Sequence, residues 1–163
     1  MRVCTCIFTL PMKLEAAIQT NKFKNELHKA SINIMYSAWW LKTLLAKELK
    51  EYGLTLEQYN VLRILKGKHP EFLCVKDISE RMIEKNSNVP RIIDRLVIKK
   101  LVKRGTSSKD RRETTITLTG AGISILESST LEVNKTISGQ LNLTEKEAER
   151  LNQLVEKMRS AEL

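Results

Sequence analysis

The 163-residue sequence is short of chain-turning residues, with 6 Gly and 3 Pro. That scarcity excludes collagen-like and low-complexity chains and argues against a many-stranded, turn-rich β protein. Cysteine is equally sparse: Cys4 and Cys6 lie one residue apart and Cys74 stands alone. The close pair is too tight for the usual zinc spacing, lacks a second ligand pair and offers no disulfide framework, which fits a reducing cytoplasm. Cys74 lies among Phe72, Leu73 and Val75, so burial is expected of it before reactivity. No apolar run approaches the roughly 18 residues of a transmembrane helix, so no membrane partner is expected. His-Glu-x-x-His, Gly-x-Ser-x-Gly, P-loop and Gly-x-Gly-x-x-Gly motifs are missing. Their absence removes the common hydrolase, nucleotide and dinucleotide chemistries. No enzyme activity, cofactor or metal is therefore expected. His28 and His69 lie far apart in sequence and are assigned structural roles.

What the chain has is positive charge: a net +9 and a pI near 9.6. Residues 1–60 carry +3, residues 61–119 carry +8 and residues 120–163 carry −2. Within 81–112 alone, eleven Lys and Arg face three Asp and Glu. Nearly the whole excess is thus packed into one segment, which reads either as a solvated basic face or as a phosphate-binding surface, where clustered cations gain from counterion release on a polyanion. The length predicts burial of about 70% of the chain's accessible surface on folding, enough for a core without staples.

Residues 1–11, MRVCTCIFTLP, are apolar and precede a second Met at position 12. They are read with 12–19 as an N-terminal extension, partly disordered or a misassigned start. Residues 20–53 keep a helical period through Phe23, Leu27, Ala30, Ile34, Ala38, Leu41, Leu45, Leu49 and Tyr52. Gly53 supplies the stop. A helix of this length, widened by Ile32, Met35, Trp39, Trp40 and Leu44, offers more apolar surface than one small domain can cover, so a partner helix is implied.

Residues 54–118 form the next unit. Thr55-Leu56-Glu57-Gln58 is a capping box that opens a helix, and a short helix follows from about Val75 to Met82. The run Asn86, Ser87, Asn88 is rich in helix-capping residues and opens a third helix to about Lys99. Either Asn86 or Ser87 serves as its cap. Val89, Ile92, Ile93 and Leu96 then face inward, with Asn88, Arg91, Arg95 and Lys99 outward. Leu101–Arg104 and Thr114–Leu118 read as strands around a polar loop that ends in Lys109, Asp110, Arg111 and Arg112. Residues 119–163 supply two more helices, the second opened by the capping box Thr144-Glu145-Lys146-Glu147. Its residues Ala148, Leu151, Leu154, Val155 and Met158 are expected inward.

Three short helices and a basic hairpin follow the order of a winged helix-turn-helix. The predicted fold is mostly α, with a small β-hairpin wing and N- and C-terminal helices flanking the winged core. The third helix would enter the major groove, where Asn88 matches adenine and Arg91 matches guanine. The loop would reach the minor groove. Phosphate contacts are expected from Lys85, Arg95 and Arg111, with Lys76 and Arg63 weaker candidates. Lys103 and Arg104 are expected to neutralise a strand edge. The segment 75–118 holds no Phe, Tyr or Trp, which disfavours RNA reading by base stacking.

The ordered set Asp77-Ile-Ser-Glu-Arg-Met82, Arg91-Ile-Ile-Asp-Arg-Leu96, Leu101-Val-Lys-Arg104, Asp110-Arg-Arg112 and Leu118-Thr-Gly-Ala-Gly122 resembles the MarR (multiple-antibiotic-resistance regulator) family. That resemblance implies a cytoplasmic bacterial transcription regulator, most often a repressor. It implies a homodimer on a palindromic double-stranded DNA operator, with the first helix (20–53) and the last two (119–163) as dimerisation helices, and often a small-molecule effector. It makes Ser87, Asn88, Arg91 and Arg95 recognition-helix residues. Lys109, Asp110, Arg111 and Arg112 become the wing, with Arg112 in the minor groove. Tyr36, Trp39, Trp40 and Tyr52 are candidates for an effector pocket. Two positions depart from the family: Pro90 stands where Ser or Thr is common, and Lys100 stands where Gly usually follows the recognition helix. Other readings are a thiol-based redox-sensing regulator of the same fold and a winged-helix interaction module without DNA.

Overall fold

The computed structural model describes residues 12–85, 88–106 and 114–159. Cys4, Cys6, Asn86, Ser87, Lys109, Asp110, Arg111 and Arg112 lie outside the described residues, as do residues 1–11 as a whole. The chain divides into two compact units, residues 1–43 and 44–163.

In the first unit, helix α1 (Leu14–Ala17) lies in the segment expected as an extension. Leu14 is buried, and Glu15 pairs with Lys29 at 2.5 Å. The bond to Lys29 holds the Glu15 carboxyl below its ordinary range. Helix α2 (Glu26–Lys50) begins later than its apolar period predicts. Asn25 sets the start: its carboxamide oxygen accepts the His28 N–H at 2.9 Å, while the His28 ring accepts the Lys24 N–H at 3.2 Å. A side-chain acceptor at this position satisfies an amide that has no partner in the first turn.

The second unit begins within α2, whose C-terminus closes as the sequence predicts. Gly53 adopts φ 62 and donates to the Lys50 carbonyl at 2.9 Å, and Leu54 donates to the Leu49 carbonyl at 3.0 Å. This is a Schellman closure, sealed by the buried pair Leu49 and Leu54. Helix α3 (Leu56–Lys66) starts at the expected capping box, with Thr55 and Gln58 exchanging bonds of 3.3 Å. Then come strand β1 (Leu73–Cys74), helix α4 (Val75–Arg81), helix α5 (Val89–Ile98) and strands β2 (Val102–Thr106) and β3 (Thr114–Leu118). Helices α6 (Gly120–Gln140) and α7 (Glu145–Met158) complete the described chain. Leu62, Leu65, Ile78, Ile93, Leu96 and Ile116 form the centre of the core.

The sheet is antiparallel in the order β1-β3-β2. Strand β1 is absent from the sequence reading; two residues carry no alternation to detect. It places Leu73 opposite Ile116 and Cys74 opposite Thr115. Strand β2 starts one residue later than expected, because Leu101 is used in closing α5, and it pairs Val102 with Leu118 and Arg104 with Ile116. Helix α6 is fixed at its start by Thr119, whose hydroxyl accepts the Gly122 N–H at 2.9 Å and donates to the Lys100 or Leu101 carbonyl. A Cβ on Gly122 would lie 2.1 Å from the Leu101 carbonyl oxygen, so glycine is required by this contact. Helix α3 is tied to α6 by Tyr59 to Thr130 at 3.0 Å and Lys66 to Glu127 at 2.9 Å.

One burial expectation needs correction. Helix α7 has its capping box, Thr144 with Glu147, but no buried residue. Leu151, Leu154 and Met158 are about half exposed, at 48%, 51% and 54%. The apolar period is present, yet among the described residues no surface covers this stripe.

Candidate functional site

Helix α5 is held on the second unit by Val89, Ile93 and Leu96, all buried, and by the half-buried Ile92. Its cap is Asn88 rather than Asn86 or Ser87: the Asn88 side chain accepts the Arg91 N–H at 3.3 Å. Three consecutive capping residues are degenerate in sequence, and the chain uses the last. Pro90 then falls at the second helical position, where its missing N–H forfeits no intrahelical bond. At the far end, Lys100 donates to the Val97 carbonyl at 2.8 Å and Leu101 to the Leu96 carbonyl at 3.0 Å. Lys100 is left-handed, with φ 59. The closure is the same Schellman geometry seen at Gly53, made here with a lysine in the glycine's place.

Arg91 and Arg95 are exposed, and neither forms an ion pair among the described residues. With Asn88, Ile92 and Glu84 they line a cleft of about 350 Å³, together with Thr55, Glu57 and Gln58 at the start of α3. Lys76 is on the first turn of α4, 84% exposed at its side chain and 4.0 Å from Glu80. Lys85 is exposed, with its ammonium donating to the Glu80 carbonyl. The structure thus brings Asn88, Arg91 and Arg95 to one surface of α5. Arg63 lies over the Tyr59 ring, 5.9 Å from its centroid.

Two long-range attachments were not read from the sequence. Lys99, expected to face solvent, donates to the Gly53 carbonyl and, at 2.9 Å, to the Gln58 side-chain oxygen. Its ammonium ties the end of α5 to the C-terminal end of α2, where the helix dipole favours a cation, and to the first turn of α3. Gln58 is buried, so this bond also helps to satisfy a polar group that water does not reach. Arg104 of β2 pairs with Asp94 of α5 at 2.6 Å, which fixes the strand to the helix and neutralises an acid on the basic face. Both depend on partners ten or more positions away, a distance at which sequence gives no local signal.

Cys74 is half-buried and caps α4, its thiol accepting the Asp77 N–H while the Asp77 carboxylate accepts the Cys74 N–H, each at 3.4 Å. The thiol first and the backbone N–H next hold the Asp77 carboxyl below its ordinary value of 3.8. Tyr36, Trp39 and Trp40 belong to the first unit and Tyr52 to the second. The Tyr36 and Trp39 rings are tilted at 49° with centroids 5.4 Å apart, and Trp39 is 58% exposed. Tyr52 packs against the core of its own unit. Among the described residues no group of three or more His, Cys, Asp or Glu could hold a metal ion, and no helix is long and apolar enough to cross a membrane.

Three helices in the order α3, α4, α5, closed by the β1-β3-β2 sheet with α5 turned outward, define a winged helix-turn-helix of the MarR type. Residues 43–128, more than half of the chain, match the family described as transcriptional regulator SarA/Rot, and the chain belongs to that family. It is 34% identical over 83 residues to the HTH-type transcriptional regulator PapX of Escherichia coli, a match that spans 51% of each protein, about half the length of that curated relative. A solved S. aureus MepR–DNA complex is similar at 27% identity and a TM-score of 0.67, covering 78% of this chain and 94% of that one. A mutant MarR from E. coli complexed with operator DNA shares the fold, with a TM-score of 0.74 over 85% of this chain and 99% of that one at 24% identity. The family consists of transcription regulators, not enzymes.

Proposed function

We propose that this regulator binds double-stranded DNA in a sequence-specific manner, with α5 in the major groove and the segment between β2 and β3 as a wing in the minor groove. The observation that carries the reading is the division of α5. Its inner side is sunk into the core, while Arg91 and Arg95 stand exposed without a carboxylate partner among the described residues. Arg91 is the base-reading residue, because a guanidinium matches the two acceptors of guanine. Asn88 spends part of its acceptor capacity on the helix cap and reads adenine only with what remains. Ser87, Lys109, Asp110, Arg111 and Arg112 complete the contact in this reading, and Lys76, Lys85 and Arg95 bind phosphates. The MepR and MarR complexes with DNA support it by likeness of fold.

The functional form in this reading is a homodimer on a palindromic operator. The uncovered stripe Leu151, Leu154 and Met158 of α7 and the exposed Leu27 and Met35 of α2 supply the apolar surface for a second copy. The regulator acts as a repressor relieved by a small molecule, with the half-buried Tyr36 and Trp40 and the exposed Trp39 as candidate effector contacts on the first unit and Tyr52 as a separate candidate on the second. The effector would favour a dimer whose two recognition helices miss successive major grooves, and it can shift that balance only by its difference in affinity for the two forms.

The test is selection of bound fragments from genomic DNA, followed by anisotropy titration of wild type and Arg91→Ala against the selected site at several salt concentrations. Wild type is expected to bind with a steep inverse salt dependence. Arg91→Ala is expected to lose about 1–3 kcal/mol and to discriminate less among related sites. No enrichment of any sequence, or an Arg91→Ala protein with unchanged preference, would contradict the proposal. Elution as a monomer at micromolar concentration would remove the dimer.

A further inference from the structure

Ile98, the last residue of α5, is 78% exposed. Among the described isoleucines of residues 44–118, Ile78, Ile93 and Ile116 are buried, Ile64 and Ile92 are half-buried, and Ile83 and Ile98 alone are exposed. Ile83 lies between α4 and α5, held by its N–H bond to the Asn60 side chain at 3.0 Å. Ile98 instead sits on the helix itself. At 3.6 residues per turn it lies about 20° around the axis from Arg91 and about 60° from Arg95. The three residues form one outward stripe, opposite Val89, Ile93 and Leu96. From Arg91 to Ile98 the helix rises about 10.5 Å, the length of roughly three base-pair steps.

The neighbours of Ile98 fix its position. Lys99, next in sequence, is tied to Gly53 and Gln58. Asp94, one turn earlier, is occupied by Arg104. The closing turn at Lys100 follows at once. An exposed, stiff, β-branched side chain adds little to the fold, and whatever covers it must also accept two guanidinium groups a turn or two away. A major groove does both, since thymine presents its 5-methyl group alongside the base acceptors that Arg91 reads, and the rim of the groove carries the phosphates that Arg95 binds. We infer that Ile98 is a specificity-determining residue that packs on a thymine methyl, so that each half-site carries a thymine under the last turn of α5. This inference rests on the DNA-reading proposal above and adds a base contact to it.

The experiment uses the full chain and a selected operator in which each dT is replaced in turn by dU, a change that removes only the methyl group. Wild type is expected to lose about fourfold in affinity at one thymine of the half-site, the worth of one buried methyl. Ile98→Ala is expected to bind the dT and dU forms of that position equally, whereas Ile83→Ala keeps the fourfold step. Thermal unfolding of both variants checks that the lobe is intact. A flat dU profile for wild type overturns the inference while leaving sequence-specific binding in place, and so does a fourfold step that survives in Ile98→Ala. Failure to retain any DNA overturns both readings together.

Discussion

Replacing Lys100 by Gly is expected to stabilise the protein, although the change removes a side chain and adds no contact. Lys100 holds φ 59 because the closure of α5 demands it: the bonds from Lys100 to Val97 and from Leu101 to Leu96 form only when this residue is left-handed. An L residue pays about 1–2 kcal/mol for that conformation, and glycine pays almost none. Glycine also loosens the unfolded chain, which takes back about 0.4–1 kcal/mol. The net expectation is a gain of about 0.5–1 kcal/mol, or a rise of about 1–4 °C in Tm for a chain of this size. Lys100→Ala separates the backbone effect from the loss of a positive charge, since alanine suffers the same strain; it is expected to stay within about 0.5 kcal/mol of wild type. Urea unfolding followed by circular dichroism, at fixed protein concentration and with an unchanged m-value, measures both variants. A destabilised Lys100→Gly would refute the reasoning. Equal gains in the Gly and Ala variants would do so too, because the effect would then be one of charge.

Gly122→Ala forces a Cβ to within 2.1 Å of the Leu101 carbonyl oxygen and is expected to cost about 1–3 kcal/mol, the usual range for overpacking; a neutral result in urea unfolding would show that this contact relaxes freely. Lys99→Met removes the cationic bonds to Gly53 and Gln58 and is expected to cost about 1–2 kcal/mol, measured the same way, with wild-type stability in the variant counting against the attachment. The Asp77 carboxyl is depressed below 3.8 in the folded chain, so its capping contribution is complete above that pH and is lost as pH falls through the lower folded value. Stability between pH 6 and pH 3 should therefore fall less steeply in Asp77→Asn than in wild type, and parallel pH profiles would exclude the contribution.

Legibility in the sequence followed the range of the interaction. The caps at Thr55 and Thr144 were readable because each needs only four consecutive residues, and Gly53 marked the end of α2 by its own backbone freedom. Lys100 was readable as a departure, since a missing glycine raised the question that its φ answers. Asn88 was harder because Asn86, Ser87 and Asn88 all cap well. The start of α2 was obscured by an apolar period that continues through Phe23, ahead of the Asn25 cap. Strand β1 had too few residues to show a period, and the Lys99 and Arg104 attachments join positions that only the folded chain brings together. Of the proposed reading surface, Asn88, Arg91 and Arg95 were visible as the polar side of an amphipathic helix. Ile98 was present in the same pattern, but an apolar residue at a helix end is easily counted as core until its exposure is known.

Helix α7 has consequences for how much of this regulator is present in a working state. Fourteen residues make a marginal helix in isolation, and none of its side chains is buried among the described residues. If a second copy covers it, as proposed, the order of this helix becomes a function of copy number. A dilute population would fray at its C-terminal end and meet proteases there first, while a concentrated one would be protected. Abundance would then set lifetime as well as occupancy, through a helix outside the proposed reading surface.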